Sequence, residues 1–210
     1  MPEAAVKKNA HVWERDEHNH YVEPVWCSRR LFEVEPFDGL VVDPCAGFGH
    51  VVQGAVEAGV LVHGYDLVDR GRYGVIGGRN FFSDSHTHGR WPVDNIASNP
   101  PYGKRPKAEV RPGERGRFEE EFVRVALQRA RYKVAVFLQG QWISGAARGL
   151  WLEGLPLYRV YHVSPRPSCP PGHVIAAGQK PGNGTADYAW FVFLKGFDGA
   201  PTVHWLRRDG

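Results

Sequence analysis

Cysteine is scarce in this chain: Cys27, Cys45 and Cys169 stand far apart, and no Cys-x-x-Cys pair occurs among the 210 residues. A disulfide framework or a structural zinc site is therefore not expected, and a reducing compartment is compatible with the sequence. Long apolar runs are missing too. The longest, Tyr188 to Leu194, falls far short of the roughly 20 residues a membrane-spanning helix needs. The opening residues, MPEAAVKKN, hold no apolar stretch of the kind an export signal carries, so a soluble cytoplasmic protein with no membrane partner is the expectation. Neither sign of charge dominates, with 26 Lys and Arg against 23 Asp and Glu and a formal net charge of +3. That total favours an anionic partner only weakly. Internal repeats and low-complexity tracts are absent, which excludes solenoids and arrays.

What is present describes an ordinary globular chain. Apolar residues are 42% and charged residues 23%, so a wholly disordered chain is excluded. The length suits one domain with a good core. Gly at 25 and Pro at 16 are somewhat abundant and predict long irregular loops. The expected organisation is a polar segment over 1–20 followed by a single domain over 21–210. Two loops interrupt that domain, a basic one at 103–117 and a Pro/Gly-rich one at 164–184.

The apolar periodicity alternates between strand and helix. Leu40 to Asp43 reads as a buried strand running into a glycine-rich turn, after which Val51, Val52, Ala55 and Val56 recur at helical spacing until Gly59. Val60 to Tyr65 forms a second strand, and a strand–turn–helix–strand unit is the signature of a parallel sheet. Asn95 to Ser98 is the next strand. Phe118, Phe122, Val125, Ala126 and Arg129 trace one face of a helix that starts near Arg117. Strands follow at Lys133 to Leu138, Leu157 to Val163, Tyr188 to Leu194 and, more weakly, Thr202 to Leu206, with a short helix over Gly145 to Leu152. Ser164 to Gly184, with five prolines and four glycines, reads as one long loop.

Two segments carry chemistry. Asp43-Pro-Cys-Ala-Gly47-Phe-Gly49 lies on a strand-to-helix turn, where glycines let backbone N–H groups approach a ligand at the positive end of a helix. Val52 stands where a dinucleotide fingerprint requires its third glycine, and Asp43 precedes the glycines, which suits a ligand with a positive group better than a pyrophosphate. Asp66, ending the second strand, is placed to accept hydrogen bonds from both hydroxyls of a ribose. The two acids together point to S-adenosylmethionine.

Asn99-Pro100-Pro101-Tyr102 follows a strand, so its atoms should emerge at the carboxyl edge of the sheet. An exocyclic amine on a nucleobase is a poor nucleophile because its lone pair is delocalised into the ring. The Asn99 side-chain oxygen and the Pro100 carbonyl can each accept one N–H, favouring a pyramidal nitrogen aimed at a methyl donor. Tyr102 offers a face for stacking, and a base in a duplex has to be flipped out to reach such a pocket.

The order of Tyr21 to Pro24, Asp-Pro-Cys-Ala-Gly-Phe-Gly, Gly64-Tyr-Asp66, Asn80-Phe-Phe82 and Asn-Pro-Pro-Tyr, together with Arg148 and the Tyr188-Ala-Trp-Phe strand, resembles class I DNA adenine-N6 methyltransferases. Within them it is most similar to the small solitary enzymes of phages and prophages. The resemblance runs from Tyr21 to Leu206. It implies a Rossmann-like α/β fold with a mostly parallel seven-stranded sheet, an antiparallel last strand and helices on both faces. It also implies S-adenosylmethionine as donor and N6-methyladenine as product. Carried over by motif, Tyr21, Pro24, Asp43, Ala46, Gly47 and Gly49 would line the donor site, Asp66 would hold the ribose with Leu67 beside the donor's adenine, and Asn80 with Phe81 would read that adenine. Asn99, Pro100, Pro101 and Tyr102 would be catalytic. Two positions depart from the pattern: Glu23 stands where Thr is usual before the proline, and Asn80 replaces the usual Asp.

The loop after Tyr102 has six cations against two acids, and in this family the corresponding chain lies near nucleic acid. Lys104, Arg105, Lys107, Arg111 and Arg115 are therefore expected on phosphates. Arg166, with His173 and Lys180 in the later loop, is expected nearer the bases. DNA is the expected partner, with no metal and a monomeric or weakly dimeric protein. The pairs His18/His20 and His86/His88, each with an Asp nearby, fit solvated loops better than a nuclease metal site. Two other readings stay open: the same tetrapeptide acting on cytosine N4, an RNA guanine or a protein glutamine, and a non-catalytic nucleic-acid-binding module of this fold.

Overall fold

The structure, a computed structural model, describes residues 20–83, 91–179, 182 and 184–209. Seven strands form one sheet in the order β2-β1-β3-β4-β6-β5-β7, with β1 at Val41–Asp43, β2 at Val62–Gly64, β3 at Val93–Ser98, β4 at Ala130–Gln139, β5 at Leu157–Ser164, β6 at Tyr188–Leu194 and β7 at Thr202–Arg207. Pairing is parallel throughout except along β6, which runs antiparallel to both β4 and β5. The mostly parallel seven-stranded sheet with one antiparallel member is thus as expected. The antiparallel strand is the sixth rather than the last, because β7 pairs with β5 in parallel and takes the sheet's edge.

The central strands are apolar on both faces, as burial between two helical layers demands. Along β4, Val134, Val136 and Leu138 face one cluster with Ile96, Phe191 and Phe193. Ala135 and Phe137 face the other, with Trp190 and Val192. Helices α3 (Phe118–Arg129) and α4 (Ala146–Glu153) cover the first face through Phe122, Ala126 and Leu152. Helices α1 (Val25–Val34) and α2 (His50–Glu57) cover the second through Cys27, Leu31, Val51 and Ala55. Trp190, fully buried, also donates its indole N–H to the Cys27 carbonyl at 3.1 Å, fastening β6 to α1. Gly54 is the contact point between α1 and α2, where a Cβ would lie 2.6 Å from the Arg29 nitrogen.

Helix α1 is an element that the periodicity did not announce. Its apolar positions are few and broken by Arg29-Arg30, and it is preceded by Pro24, which sits in extended backbone at its N-cap. Within the 164–184 segment the described residues include more than loop. It contains a short helix, α5, at Gly172–Ala176, and Pro171 bridges Tyr21. No helix among the described residues is long and apolar enough to cross a membrane.

Because β1 is flanked by β2 on one side and β3 on the other, the chain reverses its winding at β1, and the carboxyl ends of β1 and β3 open a crevice there.

Candidate active site

Asp43 ends β1 and Ser98 ends β3, and the Ser98 hydroxyl donates to Asp43 Oδ1 at 2.6 Å, tying the two lips of the crevice together. The Cys45 N–H donates to the same oxygen at 3.1 Å. Oδ2 is buried without a hydrogen-bond partner among the described residues. Burial pushes this carboxyl well above the usual carboxylate range. The Ser98 and Cys45 bonds offset that only in part, and the nearby charges of Glu23 and Asp66 add to the rise. Cys45 is likewise driven up by burial and by Asp66 and Asp43, so its sulfur stays a thiol and is no nucleophile.

Asp66 follows β2 and is 7% exposed. Its Oδ2 accepts from the Gly47 N–H at 2.7 Å, and its Oδ1 accepts from the Val68 N–H at 2.9 Å and from Arg70 at 2.5 Å. Gly47, at φ +53°, holds the turn tightly enough for this bond, a backbone region that disfavours any side chain. A Cβ there would run into the His20 imidazole, which also packs edge-on against Phe48 with ring centroids 4.7 Å apart.

A cavity of about 500 Å³ opens from this point. Asp66, Leu67, Asn80 and Phe81 line one part of it, and Asn99 and Pro101 another. Asp43, Ala46 and Gly47 line a small adjoining recess that shares His20, Tyr21, Cys45 and Asn99 with the larger space. Glu23 and Asp43 line the recess, while Asp66 and Glu109 line the larger space together with Arg70, which pairs with Asp66, and with Arg79, Arg105 and Arg111. A buried, unpaired carboxylate oxygen beside such a space fits a ligand that brings its own positive charge.

The tetrapeptide follows β3. Asn99 Nδ2 donates to the Tyr21 carbonyl at 2.8 Å and to Glu23 Oε2 at 2.5 Å. Both partners are acceptors, which fixes the amide orientation and turns Oδ1 the other way, where it accepts from the Tyr102 hydroxyl. That hydroxyl also lies 2.9 Å from the Phe137 carbonyl, and burial pushes it well above the ordinary phenol range, so it remains a donor. Tyr21 stacks on Tyr102, with ring centroids 6.2 Å apart and planes 26° apart, and covers the ring face expected to receive a planar group. Behind these two rings lies a second cavity of about 640 Å³, lined by Gln139, Gln141, Arg148 and Tyr188 among others.

The other residues read from the sequence divide clearly. Asn80 Oδ1 accepts from the Phe82 N–H at 2.9 Å, capping its own turn, and Phe81 is buried in the core against Phe122. Pro24 and Gly49 act through backbone, as the residues that introduce α1 and α2. The basic loop over 103–117 contains some regular structure. Lys107–Glu109 forms a 3-10 turn, and Lys104 bridges Arg117.

Arg105, whose side chain is 8% exposed, pairs with Glu114 at 3.0 Å and reaches Glu121 at 4.0 Å. Arg115 pairs with Glu120 at 3.0 Å and lies over the Trp151 ring. The reason is Glu119-Glu120-Glu121 in the first turn of α3, which face the positive end of that helix and hold the loop down. Lys104, Lys107 and Arg111 are exposed. Arg166 pairs with Asp187 at 2.7 Å on the surface, and Lys180 lies outside the described residues. So do His18, His86 and His88, while His20 belongs to the cavity wall, and no group of metal-holding side chains occurs among the described residues.

Glu23, His20 and His50 are the site residues that sequence reasoning missed. His50 Nδ1 lies 2.6 Å from the Glu23 carbonyl. The one available signal was Glu23 standing where a neutral residue is usual.

No family model matches the chain, and no curated protein matches it in sequence. Solved structures do. The chain is similar to a Listeria monocytogenes protein classed as a class I S-adenosylmethionine-dependent methyltransferase, at 13% identity and a TM-score of 0.61, over 91% of this chain and 67% of that one. It is similar to a modification subunit of a Vibrio vulnificus type I restriction enzyme at 17% identity and a TM-score of 0.57, over 89% and 47%. The M protein of the type I restriction enzyme EcoKI (EC 2.1.1.72) matches at 13% identity and a TM-score of 0.57, over 91% and 49%. The chain thus spans about half the length of the two restriction-enzyme subunits. The fold is that of class I methyltransferases.

Proposed function

We propose that this protein transfers a methyl group from S-adenosylmethionine to the N6 amine of adenine in DNA, acting through a single domain over 21–210. The observation that carries the reading is that Asn99 and Pro101 wall the same cavity as Asp66 and Asn80, next to a recess lined by Asp43. In this reading Asp66 would exchange its Arg70 partner for ribose hydroxyls, and Asp43 would supply negative charge suited to the donor's cationic end. The bound donor would supply an electrophilic methyl on a sulfonium. The chain itself binds and orients: Asn99 Oδ1 and the Pro100 carbonyl take the two hydrogens of a planar amine, and no strong base is needed because the amine becomes acidic only as it is alkylated.

The cavity behind Tyr21 and Tyr102 supports an extruded base, with Gln139 and Gln141 able to meet a hydrogen-bonding edge. A base stacking on the covered face of Tyr102 has to displace the Tyr21 ring. Lys104, Lys107 and Arg111, in the loop beside the tetrapeptide, suit phosphate contacts.

Incubation of the purified protein with donor and mixed-sequence DNA, followed by nucleoside mass spectrometry, tests this. N6-methyladenine is expected to rise, and Asn99→Ala to lower the rate by about 100-fold or more while the donor still binds. N4-methylcytosine, or methyl groups only in RNA or protein, would reject the adenine reading.

A further inference from the structure

Glu23 is 4% exposed, precedes helix α1 and pairs with no Lys or Arg among the described residues. Its Oε2 accepts from Asn99 Nδ2 at 2.5 Å, and its main-chain carbonyl lies 2.6 Å from Nδ1 of His50, the first residue of α2. One residue therefore joins the turn that carries Gly47 and Gly49 to the asparagine of the tetrapeptide. A buried carboxylate spent on a neutral amide is costly unless the amide's orientation matters. A carboxamide can present either its oxygen or its NH2 to a neighbour, and the two ends have nearly the same shape. With Tyr21 O and Glu23 Oε2 occupying both Asn99 hydrogens, a flipped amide would set oxygen against oxygen at two contacts.

We propose that Glu23 is a positioning residue that locks the Asn99 amide with Oδ1 turned toward the incoming amine, rather than a group that grips the donor. The proposal deepens the methyltransferase reading above and rests on it for its kinetic consequence, while its geometric content, the lock itself, stands separately. Burial raises the Glu23 carboxyl, partly offset by His50, its own backbone N–H and Asn99, in keeping with a group that solvent does not hold in place.

The test compares Glu23→Ala and Glu23→Gln with the natural protein by single-turnover methyl transfer, by calorimetric titration with S-adenosylmethionine, and by NMR of the Asn99 side-chain NH2, assigned through its loss in Asn99→Ala. Glu23→Ala should lower kcat by up to about 100-fold with donor Kd changed less than about threefold. Glu23→Gln, whose side-chain oxygen still accepts a hydrogen bond, should restore most of the rate. The Asn99 NH2 signals should shift and exchange faster with solvent in Glu23→Ala, and return toward the natural positions in Glu23→Gln. A rise in donor Kd that accounts for the lost rate, an unchanged rate in both variants, or Asn99 signals that do not move would overturn the proposal. If the natural protein methylates no nucleic acid, the methyl-transfer reading fails, and the NMR comparison still decides whether Glu23 locks Asn99.

Discussion

Glu35 and Asp43 are both withdrawn from water in one small fold, and they are treated in opposite ways. Glu35, just past α1, receives Lys133 at 2.5 Å, Arg159 at 2.8 Å and the Tyr161 hydroxyl at 2.7 Å. Burial pushes its carboxyl up, but the bonds from Lys133, Tyr161 and Arg159 outweigh that and hold it below the ordinary range. Among the described residues Asp43 has no cation and keeps one oxygen unpaired, and it is pushed well above the ordinary range. The first acid stitches α1 to β4 and β5 and serves the fold. The second lies at a crevice, and in the proposed function its cost would be recovered when a positive ligand arrives. Buried charge by itself therefore says little; the count of partners separates a structural acid from one awaiting a ligand.

Substitution should split the pair most sharply. Glu35→Gln leaves Lys133 and Arg159 without their acid and is expected to cost about 3 kcal/mol in urea unfolding at neutral pH. The folded-state value of Glu35 is lowered, so its contribution is complete above the unfolded value near 4.3 and disappears as pH falls through the lower folded value. The gap between the natural protein and Glu35→Gln should therefore close below about pH 4, and a gap that persists there would show that packing, not charge, is at stake.

Asp43→Asn should act in the other direction. The amide oxygen can keep the Ser98 and Cys45 bonds while the buried charge is removed, giving roughly 1 kcal/mol more stability without ligand. The folded-state value of Asp43 is raised, so the natural protein loses stability as pH climbs from the unfolded value of about 3.9, and the advantage of Asp43→Asn should grow over that rise. Excess S-adenosylmethionine should reverse the order of melting temperatures, because the natural protein gains more from a ligand it binds better. If donor stabilises both proteins equally, Asp43 is not the acid that meets its charge.

The smallest effects concern the loop 103–117. Arg105→Ala strips Glu114 and Glu121 of a largely buried partner and should cost about 2 kcal/mol, whereas Lys104→Ala should stay within roughly 0.5 kcal/mol. If the protein acts on DNA as proposed, the ranking should invert there: Lys104→Ala should reduce the salt dependence of binding by about one phosphate contact, visible as a shallower slope of log K against log salt.

Much of the sheet was legible because each clue was local. Apolar runs such as Val134 to Leu138 and Tyr188 to Leu194 read as strands without knowledge of their neighbours, and Gly59 does close α2, at φ +76°. The Asp43 and Asn99 segments were legible for the same reason, since turn chemistry directly after a strand is written in adjacent residues. The pairing of Arg105 was not legible because it depends on the loop folding back, which brings Glu114, nine residues on, and Glu121 of the following helix to its guanidinium. Helix α1 went unread because its apolar face is broken by charge and is completed by contacts from α2 and β6.

Local order alone settled the strand-and-helix alternation, the glycine turn between β1 and α2, and the presence of Asn-Pro-Pro-Tyr after a strand. Folding decided which of these meet. Glu23 lies 76 residues from Asn99, and Glu35 lies 98 from Lys133 and 124 from Arg159. No periodicity spans such separations. Partnership between distant side chains exists only once the sheet order has been chosen, and it is partnership that decides whether a buried carboxylate braces the core, orients an amide or waits for a cation.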